Sequence, residues 1–481
     1  MLFNSIEFFV FLAITLSALY ALRGHRFWQG GLFAASQIFY GWWDWRFLAL
    51  FWFSMVSNWW FGERIAAARR TGGRPAIPLA VGVSLNVAIL GVFKYADFFL
   101  QSLRQGLAGF GFDPGWPLLN ILLPLGISFF TFQAIAYLVD IFRDRISPAR
   151  SLFEFSLFLG FFPQVSAGPI PRAADLIPQL RSPKPITRAD AREGGYLILW
   201  GLFKKVVVAD VLALHVERVY SMPLPDAGSV VVGVLAFTFQ IYADFSAYSD
   251  IAIGVALLMG IRLQRNFAEP YLAVGPGEFW QRWHITLSQW LRDYLFFPLG
   301  GGNRGRLRTH INLMVTFLIG GLWHGAGWTF VLWGLYQGTF IVVGRLLEGL
   351  RKKARVMEFG QPAPKEILDG RILRFLRWGM TFLATAVGMG IFRASGLEQL
   401  VAFGSGLGGG EFSASFPRQL AVILAFASPL MVHDLLSRWL REPCWPIKRG
   451  PVVAVLWILL MVYGIMVLGM ASGGQFIYFQ F

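Results

Sequence analysis

The chain has 481 residues, 56% of them hydrophobic and only 14% charged, with a formal net charge of +15. Apolar runs recur from one end to the other, which excludes an ordinary water-soluble globule. A single cysteine, Cys444 beside Pro443 in a basic stretch, excludes an intrachain disulfide and a CxxC site.

A helix needs about 20 residues to cross the hydrocarbon of a bilayer. Windows at 5–22, 76–100, 118–142, 195–216, 229–260, 311–346, 373–393, 418–437 and 451–471 meet that need, and aromatic stretches at 27–61 and 151–171 add shorter elements. Backbone groups in lipid pair internally, and no alternating ten-residue strand pattern occurs, so the fold class is all-α. We expect one polytopic membrane domain over 1–481 with about 11–13 spanning or half-spanning helices. The first window lacks a basic leader and a small-x-small cleavage site, so it reads as a retained helix.

Basic residues fall between the apolar runs: Arg69, Arg70 and Arg74, then Arg143, Arg145 and Arg150, then Arg345, Arg351, Lys352, Lys353 and Arg355. That is the pattern of cytoplasmic loops meeting anionic lipid headgroups, and it argues against nucleic acid as a partner. The polar stretches 171–193 and 346–372 read as interfacial connections.

Segment 262–310 breaks the pattern, being both charged and dense in Trp, Phe and Tyr. From Gly277 its period predicts an amphipathic helix with Trp283, Leu287, Trp290 and Tyr294 in one stripe and His284 and Ser288 beside it. Pro270, Pro276 and Pro298 bound it, and Gly300 to Gly305 make a basic turn. Next comes a histidine inside apolar sequence: Leu313–Ile319 precedes Gly320-Gly321-Leu322-Trp323-His324-Gly325-Ala326-Gly327-Trp328, and Phe330–Leu335 follows. The glycines at 320, 321, 325, 327, 334 and 338 fit either close helix packing or room for a slim ligand.

Of six histidines, His25, His215, His310 and His433 lie at helix ends or in basic loops and read as interfacial. His324 reads as a general base: a dry imidazole stays neutral and can take the proton of a hydroxyl that attacks an acyl carbon, while Trp323 and Trp328 exclude water. His284 can orient a substrate, hold a helix or cooperate with His324. Asp244 and Asp250 stand among apolar residues, where Tyr242, Ser246, Tyr248 and Ser249 offer hydroxyls for a polar network. Lys94, Asp97 and Asp140 read as charges at helix ends. HExxH and Cys/His clusters are absent, so no metal site is expected; GxSxG, His-x4-Asp and a Walker loop are absent too. A transporter or a non-catalytic export-complex component would explain the helices and buried acids alone, but no inverted repeat supports it.

The stretches FKYADFF (93–99), LPLGISFFTFQAIAYLVDIFR (123–143), FFPQVSAGPIPR (161–172), GLFKKVVVAD (201–210) and YADFSAYSDIAIG (242–254) come in a telling order. They continue as NFAEPY (266–271), FWQRWHITLSQWLRDYLFFPLGGGNR (279–304), GLWHGAGWTFVLWGLYQG (321–338), IFRA (391–394) and FIYFQF (476–481). With these motifs the chain resembles the membrane-bound O-acyltransferase superfamily, and in it the bacterial alginate O-acetyltransferase-like branch, over nearly its full length. The matching ends read as those of a whole protein.

The resemblance implies a ring of tilted helices around a thin centre, with recesses opening from both membrane faces. His324 would be the essential catalytic residue and His284 the second family histidine, with Thr286 where the family has serine. Acetyl-CoA would enter from the cytoplasm as acyl donor. The acetyl group would leave toward the periplasm of a bacterial inner membrane, to an SGNH-type partner acting with polysaccharide synthesis or export machinery. Phosphates of coenzyme A need basic partners, for which Arg282, Arg304 and Arg306 are the candidates, and the Trp323 indole N–H is a candidate for the developing oxyanion. The alternative within the same chemistry is D-alanyl or other acyl transfer to a cell-wall polymer.

Overall fold

The computed structural model describes every residue except Arg26, Asp113, 360–369, 470–473 and 478–481, and over 350–359 only the backbone. The described residues form helices joined by turns, with no strand among them. Six helices are long and apolar enough to cross a membrane: Ala76–Ala108, Ala227–Leu257, Trp328–Gly349, Arg371–Arg393, Phe416–Leu440 and Pro451–Leu468. Ile6–Ala21 and Ile127–Phe142 are shorter apolar helices. Their greasy side chains point outward as much as inward. On Pro451–Leu468 only 17% of residues are buried, and Val455, Leu456 and Leu459 are exposed. Water penalises such a surface and lipid does not.

The chain folds as two compact units, Met1–Gly201 with Tyr248–Gln264, and Leu202–Ala247 with Arg265–Ile477. The first has an aromatic core in which Phe3 stacks on Tyr248 at 4.5 Å and Phe11 meets Phe162 edge-on at 5.3 Å. Two pairs of its buried carboxamides satisfy each other. Asn86 donates to Asn58 at 2.7 Å, and Gln133 donates to Gln164 at 2.5 Å. Lys94 reaches Ser128 at 3.4 Å from a widened turn inside the first long helix, Asp97 caps the Leu119 amide at 2.6 Å, and buried Asp140 lies 3.6 Å from Arg145.

Three sequence expectations change in the structure. The window at 118–142 starts its helix only at Ile127, because Pro117 and Pro124 deny the ladder its donors and Gly126 turns left-handed at φ 68°. The window at 311–346 is two helices, Arg306–His324 and Trp328–Phe359, joined by Gly325-Ala326-Gly327. The stripe from Gly277 is not one helix but Pro276–Arg282 and Ile285–Leu291, parted at His284 and followed by a widened turn at Arg292–Phe296. Part of the polar stretch 346–372 and the end of the terminal motif, 478–481, lie outside the described residues.

In the second unit the two helices around Gly325-Ala326-Gly327 run antiparallel in close contact. A Cβ on Gly334 would meet the Phe317 carbonyl at 2.5 Å, one on Gly338 the Met314 sulfur at 2.8 Å, and one on Gly321 the Phe330 carbonyl. Small residues let the backbones approach, and van der Waals packing then holds the hairpin. The glycine question raised by the sequence is thereby answered: Gly321, Gly334 and Gly338 serve helix packing.

Candidate active site

His324 ends its helix at the bend of this hairpin and is 5% exposed. The bend forms because Gly325 takes an extended conformation at φ −159° and its amide closes the helix on the Gly321 carbonyl at 3.4 Å. A side chain on Gly325 would occupy the place of the Phe330 ring. The imidazole is therefore not mid-helix, as the apolar run implied, but at a turn buried by its neighbours. Three rings stand edge-on around it: Trp323 at 4.9 Å, Trp333 at 5.0 Å and Phe392 at 5.2 Å. Phe392 comes from the IFRA stretch, and this contact gives that motif a place beside the imidazole.

His284 is fully buried and sits at φ 41°, a left-handed conformation that few non-glycine residues adopt. The NFAEPY segment holds it there. The Ile285 amide donates to the Asn266 carbonyl at 2.8 Å, the Thr286 hydroxyl to Asn266 Oδ1 at 2.6 Å, and the Ala268 amide to the Arg282 carbonyl at 3.0 Å. These bonds stand in for the helical ladder where it breaks. A serine at 286 would present the same hydroxyl. The ring of His284 lies 4.7 Å from Phe245 and 5.9 Å from Trp323. Burial first, and then the nearby His324, push its pKa well below the ordinary histidine range. Trp323 thus touches both imidazoles.

The candidate arginines lie elsewhere. Arg282 gives its donors to Glu278 at 3.0 Å, Glu269 at 3.2 Å and the Ala268 carbonyl at 2.8 Å, and Arg438 joins Glu278 at 3.0 Å. It braces the broken helix. Arg304 and Arg306 are exposed at the opposite end of the helix that carries His324, about 27 Å away at 1.5 Å per residue. The structure unites His284, His324 and Trp323, commits the Arg282 side chain to acids beside the break, and leaves Arg304 and Arg306 at the far end of the helix.

The buried acids have partners that the sequence reading passed over. Lys205, 1% exposed, binds Asp244 and Asp210 at 2.8 Å each. Asp244 also accepts the Ile477 amide at 2.7 Å, and Lys205 donates to the Gln475 carbonyl at 3.1 Å. Lys204 donates to Ser246 at 2.9 Å, while the Tyr242 hydroxyl goes to Asp434 at 2.7 Å. Asp250 is half-buried, and Tyr248 binds Ser166. His433, read as interfacial, is buried beside Asp434 within the helix Phe416–Leu440. The missed signal was a lysine pair inside an apolar window, since buried cations demand acids.

The comparisons with known proteins follow this geometry. The model of the membrane-bound O-acyltransferase family matches residues 139–364, a span that contains both buried imidazoles. A probable alginate O-acetylase of Pseudomonas putida is 41% identical over 403 residues, covering 83% of this chain and 78% of that one. A peptidoglycan O-acetyltransferase of Helicobacter pylori is 36% identical over 397 residues, covering 76% and 71%. A teichoic acid D-alanyltransferase of Bacillus subtilis is 26% identical over 253 residues, covering 50% and 64%. Given the first two relatives, the family model and the apolar helices, the chain belongs to the membrane-bound O-acyltransferase family and is a multi-pass membrane O-acyltransferase.

Proposed function

We propose that the chain moves an acetyl group from cytoplasmic acetyl-CoA, across a bacterial inner membrane, for O-acetylation of an exported polysaccharide such as alginate, through a periplasmic SGNH-type partner. The observation that carries this reading is His324 at a buried bend, boxed by Trp323, Trp333 and Phe392. The names of the relatives support the acetyl group and the polysaccharide class.

In the reaction, neutral His324 accepts the proton of an acceptor hydroxyl. The freed oxygen forms a bond to the thioester carbon, the C–S bond breaks, and the imidazolium returns the proton to the departing thiolate. The surrounding aromatic rings keep water from competing for the acyl group. Buried His284, held by the Asn266 clasp, orients Trp323 against His324.

Full-length protein reconstituted in liposomes with labelled acetyl-CoA, the periplasmic SGNH-type partner and an oligomannuronate acceptor tests the proposal. His324→Ala should lower label transfer by at least about 100-fold, the low end for general-base catalysis. It should leave the protein folded, with an unchanged chromatographic profile. Retained transfer in that variant removes His324 from catalysis, and no transfer by the unaltered protein removes the proposed donor and acceptor.

A further inference from the structure

Gln337 is 0% exposed, and neither its Nε2 nor its Oε1 has a hydrogen-bond partner among the described residues. Other fully buried carboxamides pair with each other, Asn58 with Asn86 and Gln133 with Gln164. Gln337 lies one helical turn beyond Trp333, on the same face of the same helix. Trp333 is the residue whose ring stands 5.0 Å from His324. Across from Gln337 is Gly388, one turn before Phe392, where any Cβ would come within 2.5 Å of the amide nitrogen. Phe392 also packs on His324, at 5.2 Å. The carboxamide thus occupies the layer next to the imidazole, in a space that only glycine leaves open. The indole N–H groups of Trp333 and Trp280, in the same aromatic pack, also lack an acceptor among the described residues. An apolar pack holding an unpaired acceptor and several unpaired donors is built for an occupant that brings amide groups of its own.

We propose that Gln337 is a donor-recognition residue that hydrogen-bonds an amide of the pantetheine arm of the acyl thioester while its sulfur lies at His324. This rests on the donor reading proposed above. Pantetheine carries secondary amides, each with one carbonyl to accept from Nε2 and one N–H to donate to Oε1. Two methylene groups separate its sulfur from the first amide nitrogen, which is shorter than one helical turn of about 5.4 Å. With the sulfur beside Trp333 and His324, the first amide therefore falls within the turn that leads to Gln337. Coenzyme A and a carrier protein both present this arm.

The test compares thiol release by the full-length reconstituted protein from S-acetyl-N-acetylcysteamine, which keeps the first amide, and from S-acetylbutanethiol, which has none, with the SGNH-type partner and oligomannuronate as acceptors. The unaltered protein should favour the amide-bearing thioester, and Gln337→Leu should reduce kcat/KM for it by about tenfold, the worth of one hydrogen bond, while leaving the amide-free thioester unchanged. Acetyl-CoA and an acetylated carrier protein should each lose about the same factor, and the faster of the two in the unaltered protein is the source of the arm. Gln337→Leu should unfold at the same temperature or higher, because it removes an unpaired buried amide. Equal loss on both small thioesters, or a destabilised Gln337→Leu, overturns the proposal while leaving the acetyl-transfer reading intact. Absence of release from every thioester by the unaltered protein overturns both.

Discussion

At the scale of single residues, His284 combines a strained backbone with a dry ring. Its left-handed φ of 41° costs on the order of 1–3 kcal/mol and persists because Asn266 over-determines the turn. Its folded pKa lies well below the ordinary 6.5, so between those two values the unfolded chain binds the extra proton. The stability that His284 brings is thus full above pH 6.5 and declines as the pH falls through that value. Thermal unfolding between pH 8 and 5 should show this acid-side decline, and His284→Asn, which tolerates positive φ, should flatten it. An identical slope in the variant would mean that another group sets the acid limit.

At the scale of elements, the hairpin of Arg306–His324 and Trp328–Phe359 depends on bare glycine backbones. Gly334→Leu should press a side chain into the Phe317 carbonyl and cost about 1–3 kcal/mol by overpacking. The readout is a lowered unfolding temperature with proportionate loss of transfer. Gly349→Ala, at an exposed helical site with open space, should hold or slightly raise the unfolding temperature and leave transfer unchanged. How much of this was legible in the sequence follows from what each signal encodes. Apolar length placed most of the membrane helices, since that signal depends only on the solvent. The WHG and WHIT stretches pointed to two histidines that the fold brings to one tryptophan. The hairpin bend was hidden, because both arms are apolar and periodicity cannot see a turn made of Gly-Ala-Gly inside them. The break at His284 was hidden too, because it is imposed by Asn266 and Ala268, which precede it by 18 and 16 residues. The convergence of Glu269 and Glu278 on Arg282 was hidden as well, because Glu269 lies 13 residues before it, outside the helix Pro276–Arg282.

At the scale of the whole molecule, one buried ion cluster joins distant parts of the sequence. Lys205 neutralises two carboxylates, and the cluster also binds the backbone at Gln475 and Ile477. Lys205→Met would strand two buried acids and should destabilise the protein by about 3–5 kcal/mol, seen as a large drop in unfolding temperature. Replacing Lys205, Asp210 and Asp244 together with apolar residues should recover much of that loss, since no charge is then left uncompensated. A triple variant as unstable as the single one would mean that the cluster also supplies shape.

The same cluster sets a schedule for biogenesis. The Ile477 amide and the Asp244 carboxylate that receives it are 233 positions apart, and Lys205 and the Gln475 carbonyl are 270 apart. During translation the lysine and its acids enter the bilayer long before their last two partners exist. A nascent chain halted upstream of Gln475 would hold this clasp unlatched, and it would close only once Gln475 and Ile477 had left the ribosome.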